Sequence, residues 1–506
     1  MKFVALALIV LASLAAPLTG SAQDRGGPPQ SAGAAKKDGD LLELPPFPPE
    51  ASAKQVTHVA GKTISYTATV GALPVIDDKG RKIAEVVYTA YVLDGPKDPH
   101  RPVTFAFNGG PGAASVYLNL GAIGPKRVQF GALGDSPSDT TGMIDNPGTW
   151  LDFTDLVFID PVGTGFSRAL LPDQDAKSHF FTVKSDIDYL SRIVFDWLVK
   201  NERLSAPKYV VGESYGGFRA PRIAHTLQTD LGVGVSGVVM VSPFLDAASW
   251  TAGDFSPMPW VVLLPSMTAS NLERHGALTP AAIAEVEAYA RTEYATTLLS
   301  GWTDAAALDR MVKRVADYTG LDPAFVRRSG GRIDSRAYLR ELYRDGGKLG
   351  SWYDPNVTAA DPFPWAPQQR VNDPILDQII APTTSAMVDF DTRVVGWKAP
   401  GRFNALSNTV GRLWEPGWAQ TAESVSDLRD ALAVDPKMRV LILHGYDDLS
   451  CPFFVSQLAI DQIPPQVKGE AGRLQLKLYP GGHMFYSRPD SQSAMRRDVM
   501  AMYGVR

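Results

Sequence analysis

Cysteine is almost missing from this chain: Cys451 is the only one in 506 residues. No internal disulfide can form. Small secreted domains depend on such staples, whereas a chain long enough for one large core with an insertion, or for two domains, does not. A charge bias is missing too. With 49 basic and 54 acidic residues the formal charge is −5, which gives no reason to expect nucleic acid or an anionic membrane as partner. Histidine is scarce, with seven, and no H-E-x-x-H or similar His/Glu cluster occurs, so no metal or other cofactor is expected. There is no internal repeat. The one long apolar run, Phe3 to Ala16, is too short to span a bilayer comfortably, and stable membrane insertion is not expected.

That run has the layout of a cleavable signal. Lys2 supplies the charged start, and Gly20 and Ala22 stand at −3 and −1 of a cut before Gln23. No cysteine follows it, so no bacterial lipid anchor is indicated. Residues 1–22 read as a signal peptide, and a Pro-, Gly- and Ala-rich stretch, residues 23–55, as a flexible leader. A signal without disulfides fits a bacterial periplasm or the exterior.

Order is expected from near Val56. "KTISYTATVGALPVIDDKGRKIAEVVYTAYVLDG" alternates apolar and polar residues about a "DDKG" turn and predicts a hairpin. "RPVTFAF", "TDLVFID", "APKYVVGE", "VSGVVMV", "MRVLILHG" and "LQLKLYPG" predict short buried strands. "DIDYLSRIVFDWLVKNE", "FRAPRIAHTLQTDL" and "SVSDLRDALAV" predict helices between them. This alternation implies an α/β fold with a mainly parallel central sheet covered by helices. From 248 to 400 the pattern turns helical, as in "TPAAIAEVEAYARTEYATTLL", "TDAAALDRMVKRVADYTG" and "DSRAYLRELYRD". Residues 56–247 and 401–506 thus form the α/β domain, and 248–400 a helical insertion. The apolar run "SPMPWVVLLPSM" inside it reads as core or packing surface, or as part of a site wall.

Gly212-Glu213-Ser214-Tyr215-Gly216 matches G-x-S-x-G, placed after the strand "KYVV" and before a helix. A strained turn there lifts a serine hydroxyl above the strand ends, and the glycines remove side chains that would clash. The peptide N–H just after the serine can stabilise an oxyanion. A nucleophilic serine needs a base and an orienting acid, and in this architecture the chain order is Ser, then Asp or Glu, then His. His58, His100 and His179 precede Ser214; His225 lies on the following helix, His275 in the insertion, and His444 ahead of any acid after its own strand. His483, in the glycine loop of "YPGGHMFY", fits the order. "VLILHGYDDLSCP" offers Asp447 and Asp448 as the acid, and spacing does not choose between them. The loop "FNGGPGAAS" after an early strand can supply a second oxyanion N–H.

Taken together, "NGGPGAAS", "NPGTWLDFTDLVFIDPVGTGFS", "GESYGG" and "GYDDLSCP…GGHMF" resemble the serine carboxypeptidase family of α/β-hydrolases, from about Thr57 to Arg506 and least in the helical insertion. The resemblance implies an α/β-hydrolase with a helical cap, Ser214 as nucleophile and His483 as base. It selects Asp448, three residues before the cysteine, as the acid. It implies an oxyanion hole of the Gly110 and Tyr215 N–H groups. It also implies recognition of a peptide's free C-terminal carboxylate by Asn108, Gly109 and Glu213. Glu213 can sit beside a carboxylate only with a shared proton, which fits the family's preference for acid. The family's Glu-x-Gly-Pro stands here as "LGAIGP", so Ala122 replaces a second acid, and Lys126 or Arg127 downstream are candidates for the lost contact. Ala113 and Ala114 stand where the family has Cys-Ser, which removes a usual disulfide partner. Cys451, by the same resemblance, lies near the site and is reactive toward mercurials.

The expected activity is that of an exported serine exopeptidase. Loss of the acid at Ala122 keeps a serine esterase or acyltransferase in play. A prolyl aminopeptidase shares the G-G-P-G loop but differs at "DPVGTGFS". A silent binding protein on this scaffold would show a broken triad, and all three members are present.

Overall fold

In the computed structural model, residues 41–96, 98–129, 138, 142–253, 255–366, 370 and 372–505 are described. The expected signal segment and most of the leader lie outside them.

The sheet is built from β1 (Ala51–Val59), β2 (Lys62–Ile76), β3 (Lys82–Leu93), β4 (Val103–Phe107), β5 (Asp155–Ile159), β6 (Lys208–Glu213), β7 (Gly237–Val241), β8 (Arg439–Gly445) and β9 (Leu474–Tyr479). Their order is β1-β2-β3-β5-β4-β6-β7-β8-β9, with the short strand Arg168–Ala169 paired to β3. β1 to β3 form an antiparallel meander, and β3 meets β5 antiparallel. From β5 to β9 every pairing is parallel. The segments VTFAF, DLVFI and GVVMV are buried along their whole length, as strands covered on both faces must be. Alternate residues enter different cores. Phe105, Val157, Val210, Val238 and Ile442 face one, and Ala106, Leu156, Val211, Val239 and Leu441 the other.

The expected hairpin is β2–β3. β1 starts five residues earlier than the leader reading allowed, because β2 is long enough to pair Ala51 with Val70 and each residue up to Val59. Helices α1 (Val183–Lys200) and α2 (Tyr215–Thr229) cover the first core.

Between β7 and β8 lies the helical block. It includes α3 (Met258–Arg274), α4 (Pro280–Tyr289), α5 (Ala305–Thr319), α6 (Ser335–Tyr343) and α7 (Pro374–Asp389). Thr279, Asp304 and Asp334 cap α4, α5 and α6 by accepting from first-turn N–H groups, which satisfies donors that a helix leaves free. Val261, Leu264 and Met267 of α3 pack into a third core with Val286, Met311 and Val315. Leu449, Phe453 and Phe454, which follow β8, complete that core, so the block is packed directly against the chain after β8. The "SPMPWVVLLPSM" run is therefore mainly core. Among the described residues no helix is long and apolar enough to cross a membrane.

Candidate active site

The turn between β6 and α2 is as sharp as its glycines suggest. Ser214 holds φ 60° and ψ −124°, outside the regions open to most side chains. A Cβ on Gly212 would lie 1.8 Å from Gly216 O, and one on Gly216 would lie 2.2 Å from Phe107 O. The turn is held by Ser214 N donating to Val241 O at 3.0 Å, and by Gly217 N and Phe244 N donating to Ser214 O at 2.8 and 3.1 Å.

The choice between the two aspartates follows from the loop after β8. Asp448 Oδ1 accepts from Ser450 N at 2.8 Å and Cys451 N at 2.9 Å, which aims Oδ2 at His483 Nδ1, 2.7 Å away. Asp447 points away into a separate cluster of charged side chains. His483 is fixed from both sides: its N–H donates to Tyr353 O at 2.6 Å, and its carbonyl accepts from Ser242 Oγ at 2.8 Å. Burial works against charge on the imidazole, but the charge and hydrogen bond of Asp448 outweigh it and make His483 a stronger base than usual. Ser214 and His483 are not hydrogen-bonded to each other. Cys451 touches both, with its Sγ 3.9 Å from Ser214 Oγ, and burial pushes its thiol up. Loose contacts of this kind in a free enzyme tighten when substrate binds.

The other histidines that follow Ser214 are otherwise engaged. His225 faces Asp427, His275 Nδ1 lies 2.8 Å from Asn271 O, and His444 contacts Ser456 Oγ through Nε2 at 2.8 Å. Burial and the neighbouring His483 push His444 down to about 3, so it stays neutral. Among the described residues, one group of three ligating side chains could hold a metal: Asp448, Cys451 and His483, with donor atoms within 4.8 Å of one another. Hydrogen bonds within the trio already account for its arrangement.

The first glycine loop is pressed onto the start of α2. A Cβ on Gly109 would lie 2.4 Å from Tyr215 N, and Gly110 and Tyr215 line the same cavity beside Ser214. Asn108 is buried at the end of β4. Its Oδ1 accepts from Leu118 N at 2.9 Å, and its Nδ2 donates to Glu213 Oε2 at 2.7 Å. Tyr486 Oη reaches both Glu213 oxygens at 3.0 Å. Burial raises Glu213 above the ordinary carboxyl range, against the opposing pull of His483, Tyr486 and Asn108. Beneath them, Arg219 Nη1 donates to Asn108 O at 2.7 Å while its Nε donates to buried Asp186 at 2.7 Å.

All eight site residues expected from the sequence come together, and Asn108, Gly109, Gly110, Glu213, Ser214, Tyr215 and His483 line one cavity of about 240 Å³. Its walls are aromatic and apolar, with Tyr117, Phe244, Trp352, Tyr353, Trp418 and Met484. Ala122 is buried behind the cavity, and its carbonyl accepts from Asn146 and Gln492. Lys126 pairs with Asp145, and neither it nor Arg127 is among the cavity's lining residues. Two tyrosines were missed by the motif reading. Tyr486 has no signal beyond standing three residues after His483. Tyr117 lines the cavity, and its buried hydroxyl has no hydrogen-bond partner.

Comparison with known proteins gives a consistent picture. Residues 88–249 match the serine carboxypeptidase family, peptidase S10. Serine carboxypeptidase-like 9 of Arabidopsis thaliana is 28% identical over 148 residues, covering 28% of this chain and 31% of the relative. The pheromone-processing carboxypeptidase KEX1 of Yarrowia lipolytica is 28% identical over 215 residues, covering 41% and 32%. Serine carboxypeptidase-like 50 of Arabidopsis thaliana is 32% identical over 157 residues, covering 31% and 32%. The chain thus spans about a third of the length of these curated relatives. The crystal structure of Kex1(Δ)p, a prohormone-processing carboxypeptidase from Saccharomyces cerevisiae, superposes with a TM-score of 0.55 at 16% identity. It covers 87% of this chain and 91% of that one, so the fold is shared along nearly the whole length.

Proposed function

We propose that this chain, which carries the serine carboxypeptidase pattern over residues 88–249, is a serine exopeptidase that removes C-terminal residues from peptides. The reading rests on one observation: the Asp448–His483 pair, Ser214 and the Asn108–Glu213 pair converge on a single cavity.

His483, oriented by Asp448, takes the Ser214 proton as the hydroxyl attacks the last peptide carbonyl. The Gly110 and Tyr215 N–H groups receive the developing oxyanion. His483 then returns the proton to the leaving amine, and water hydrolyses the acyl-enzyme by the same route in reverse. Asn108, the Gly109 N–H and neutral Glu213 hold the free carboxylate of the departing residue. We assign residues 248–400 the role of a cap over this site, and residues 1–22 that of an export signal, so that the substrate is an extracytoplasmic peptide.

A serine esterase or acyltransferase is the second reading, favoured by Ala122 in place of a second acid. Blocked dipeptides with free or amidated C-termini, offered to the wild type and to Ser214→Ala, decide between them. Release from the free acid alone, abolished in the variant, supports the exopeptidase. Equal cleavage of both forms, or of esters alone, supports the second reading.

A further inference from the structure

Asp447 is fully buried directly after β8 and takes no part in the chemistry above. Three other segments meet it. Helix α3 brings Glu273, the turn after Trp352 brings Asp354 and Asn356, and the turn beyond His483 brings Arg488. Arg488 holds Glu273 through Nη1 and Asp354 through Nη2, the latter at 2.7 Å, while Nη2 stays 4.0 Å from Asp447 Oδ2. Asn356 Nδ2 donates to Glu273 Oε2 at 3.0 Å and to Asp447 Oδ2 at 3.1 Å. The same network grips both catalytic loops. Asp354 Oδ2 accepts from Gly482 N at 3.2 Å, next to His483, and Asp447 N donates to Gly481 O at 2.9 Å.

Three carboxyl groups therefore share one guanidinium. Were all three ionised, two negative charges would stand uncompensated where Asp447 has no access to water, which is strongly unfavourable. One proton removes most of that repulsion. Asp447 is the member placed to hold it, since it is the most buried and the farthest from Arg488. Its Oδ1 meets no donor, which is costly for a carboxylate oxygen. A protonated Asp447 carboxyl is itself a donor, and Glu273, joined to it through Asn356 Nδ2, is the neighbouring acceptor. Burial and the neighbouring Glu273 and Asp354 push Asp447 well up. Burial works against the Glu273 charge, but Asp447, Arg488 and Asn356 hold that group down at about 2. From α6, buried Tyr338 also faces the cluster, and Arg274 reaches it through Asn356 Oδ1 at 3.0 Å. Asp448 and His483 flank it on the catalytic side.

We propose that Asp447 is a positioning residue: as a neutral carboxyl it donates to Glu273 and clamps α3 and the turn at 351–357 onto the loops that present Asp448 and His483. Ionisation sets Asp447, Glu273 and Asp354 against one another and loosens the clamp. The imidazole then loses its alignment with Ser214. The chain thereby has an upper pH limit that the triad does not set. Only the kinetic readout of this clamp rests on the proposed serine chemistry.

The test is Asp447→Asn in the full chain, with Glu273→Gln beside it. Asparagine keeps the shape and a donor toward Glu273 but cannot ionise. Turnover and thermal unfolding are followed from acid to alkaline pH. In the wild type, kcat falls on the alkaline side, separately from the rise in KM that Glu213 imposes on free-acid peptides, and Asp447→Asn moves that kcat limb up by about one pH unit or more. The variant's unfolding midpoint also falls less steeply as pH rises, because wild-type Asp447 keeps in the folded state a proton that the unfolded chain releases. If Asp447→Asn does not fold, Glu273→Gln takes its place: it removes a charge and an acceptor that hold the proton on Asp447, so Asp447 ionises at lower pH and the limb moves down instead of up. An unmoved alkaline limb, or a loss of activity by the same factor at every pH, overturns the inference. If the wild type shows no Ser214-dependent turnover, the proposed function fails while the midpoint slopes still decide: equal slopes in wild type and variant overturn the clamp.

Discussion

The Asn108 amide donates to the Glu213 carboxyl across 2.7 Å in a fully buried contact beside Ser214. The pair presents donors rather than charge only while Glu213 keeps its proton.

This gives a pH dependence of binding. Burial raises Glu213 above its ordinary value, so the group stays neutral beyond the pH at which an exposed glutamate ionises. As pH rises through that raised value, KM for a peptide with a free C-terminus increases, since an ionised Glu213 repels the substrate carboxylate. The inhibition constant of the amidated peptide, which is not cleaved, stays flat. Glu213→Gln removes the dependence for the free acid. A Glu213→Gln profile that matches the wild type would count against the role given to Glu213.

We predict that Tyr117 makes up for the acid missing at Ala122. Its ring lines the cavity, and its buried hydroxyl has no hydrogen-bond partner. Steady-state kinetics of Tyr117→Phe should show KM for the free-acid dipeptide raised by about fivefold, the worth of one modest hydrogen bond. Kinetics with an ester substrate should be unchanged.

Asp448 and Asp447 make a controlled comparison, because the two are adjacent and both buried. Asp448→Asn reverses the hydrogen-bonding demand on His483 Nδ1 and is expected to lower kcat by about 10⁴-fold with the fold retained. Circular dichroism and a progress curve on the purified variant check both parts.

Arg219 is expected to matter for stability before activity. It is buried with Asp186 and also supports the Asn108 carbonyl. Arg219→Met strands the Asp186 charge and is expected to cost about 3–5 kcal/mol in chemical denaturation. Adding Asp186→Asn in the same chain should recover part of the loss.

Much of this site was legible in the sequence because its parts are local. The strand, the glycines and Ser214 lie within a few residues, and so do "YDDLSC" and "GGHMF". The parallel strands announced themselves as short, unbroken apolar runs. Other features depend on contacts that spacing does not encode. Asp447 differs from Asp448 only through Glu273, Asp354 and Arg488, which lie far apart in the chain. Tyr486 and Tyr117 become site residues only when the turn after His483 and the stretch after the first glycine loop fold toward Glu213. The start of β1 was missed because its partner in β2, and not its own composition, makes Ala51 a strand residue.

The His483 N–H is held by Tyr353, a residue of the block that separates β7 from β8. The block is thus not a module that can be traded between relatives to change selectivity. A chimera that replaces residues 248–400 wholesale also replaces the Tyr353 carbonyl that accepts from the His483 backbone N–H. Recombination at this scaffold has to supply a backbone carbonyl in the place of Tyr353, and point changes at the lining residues Trp352 or Trp418 leave that contact in place.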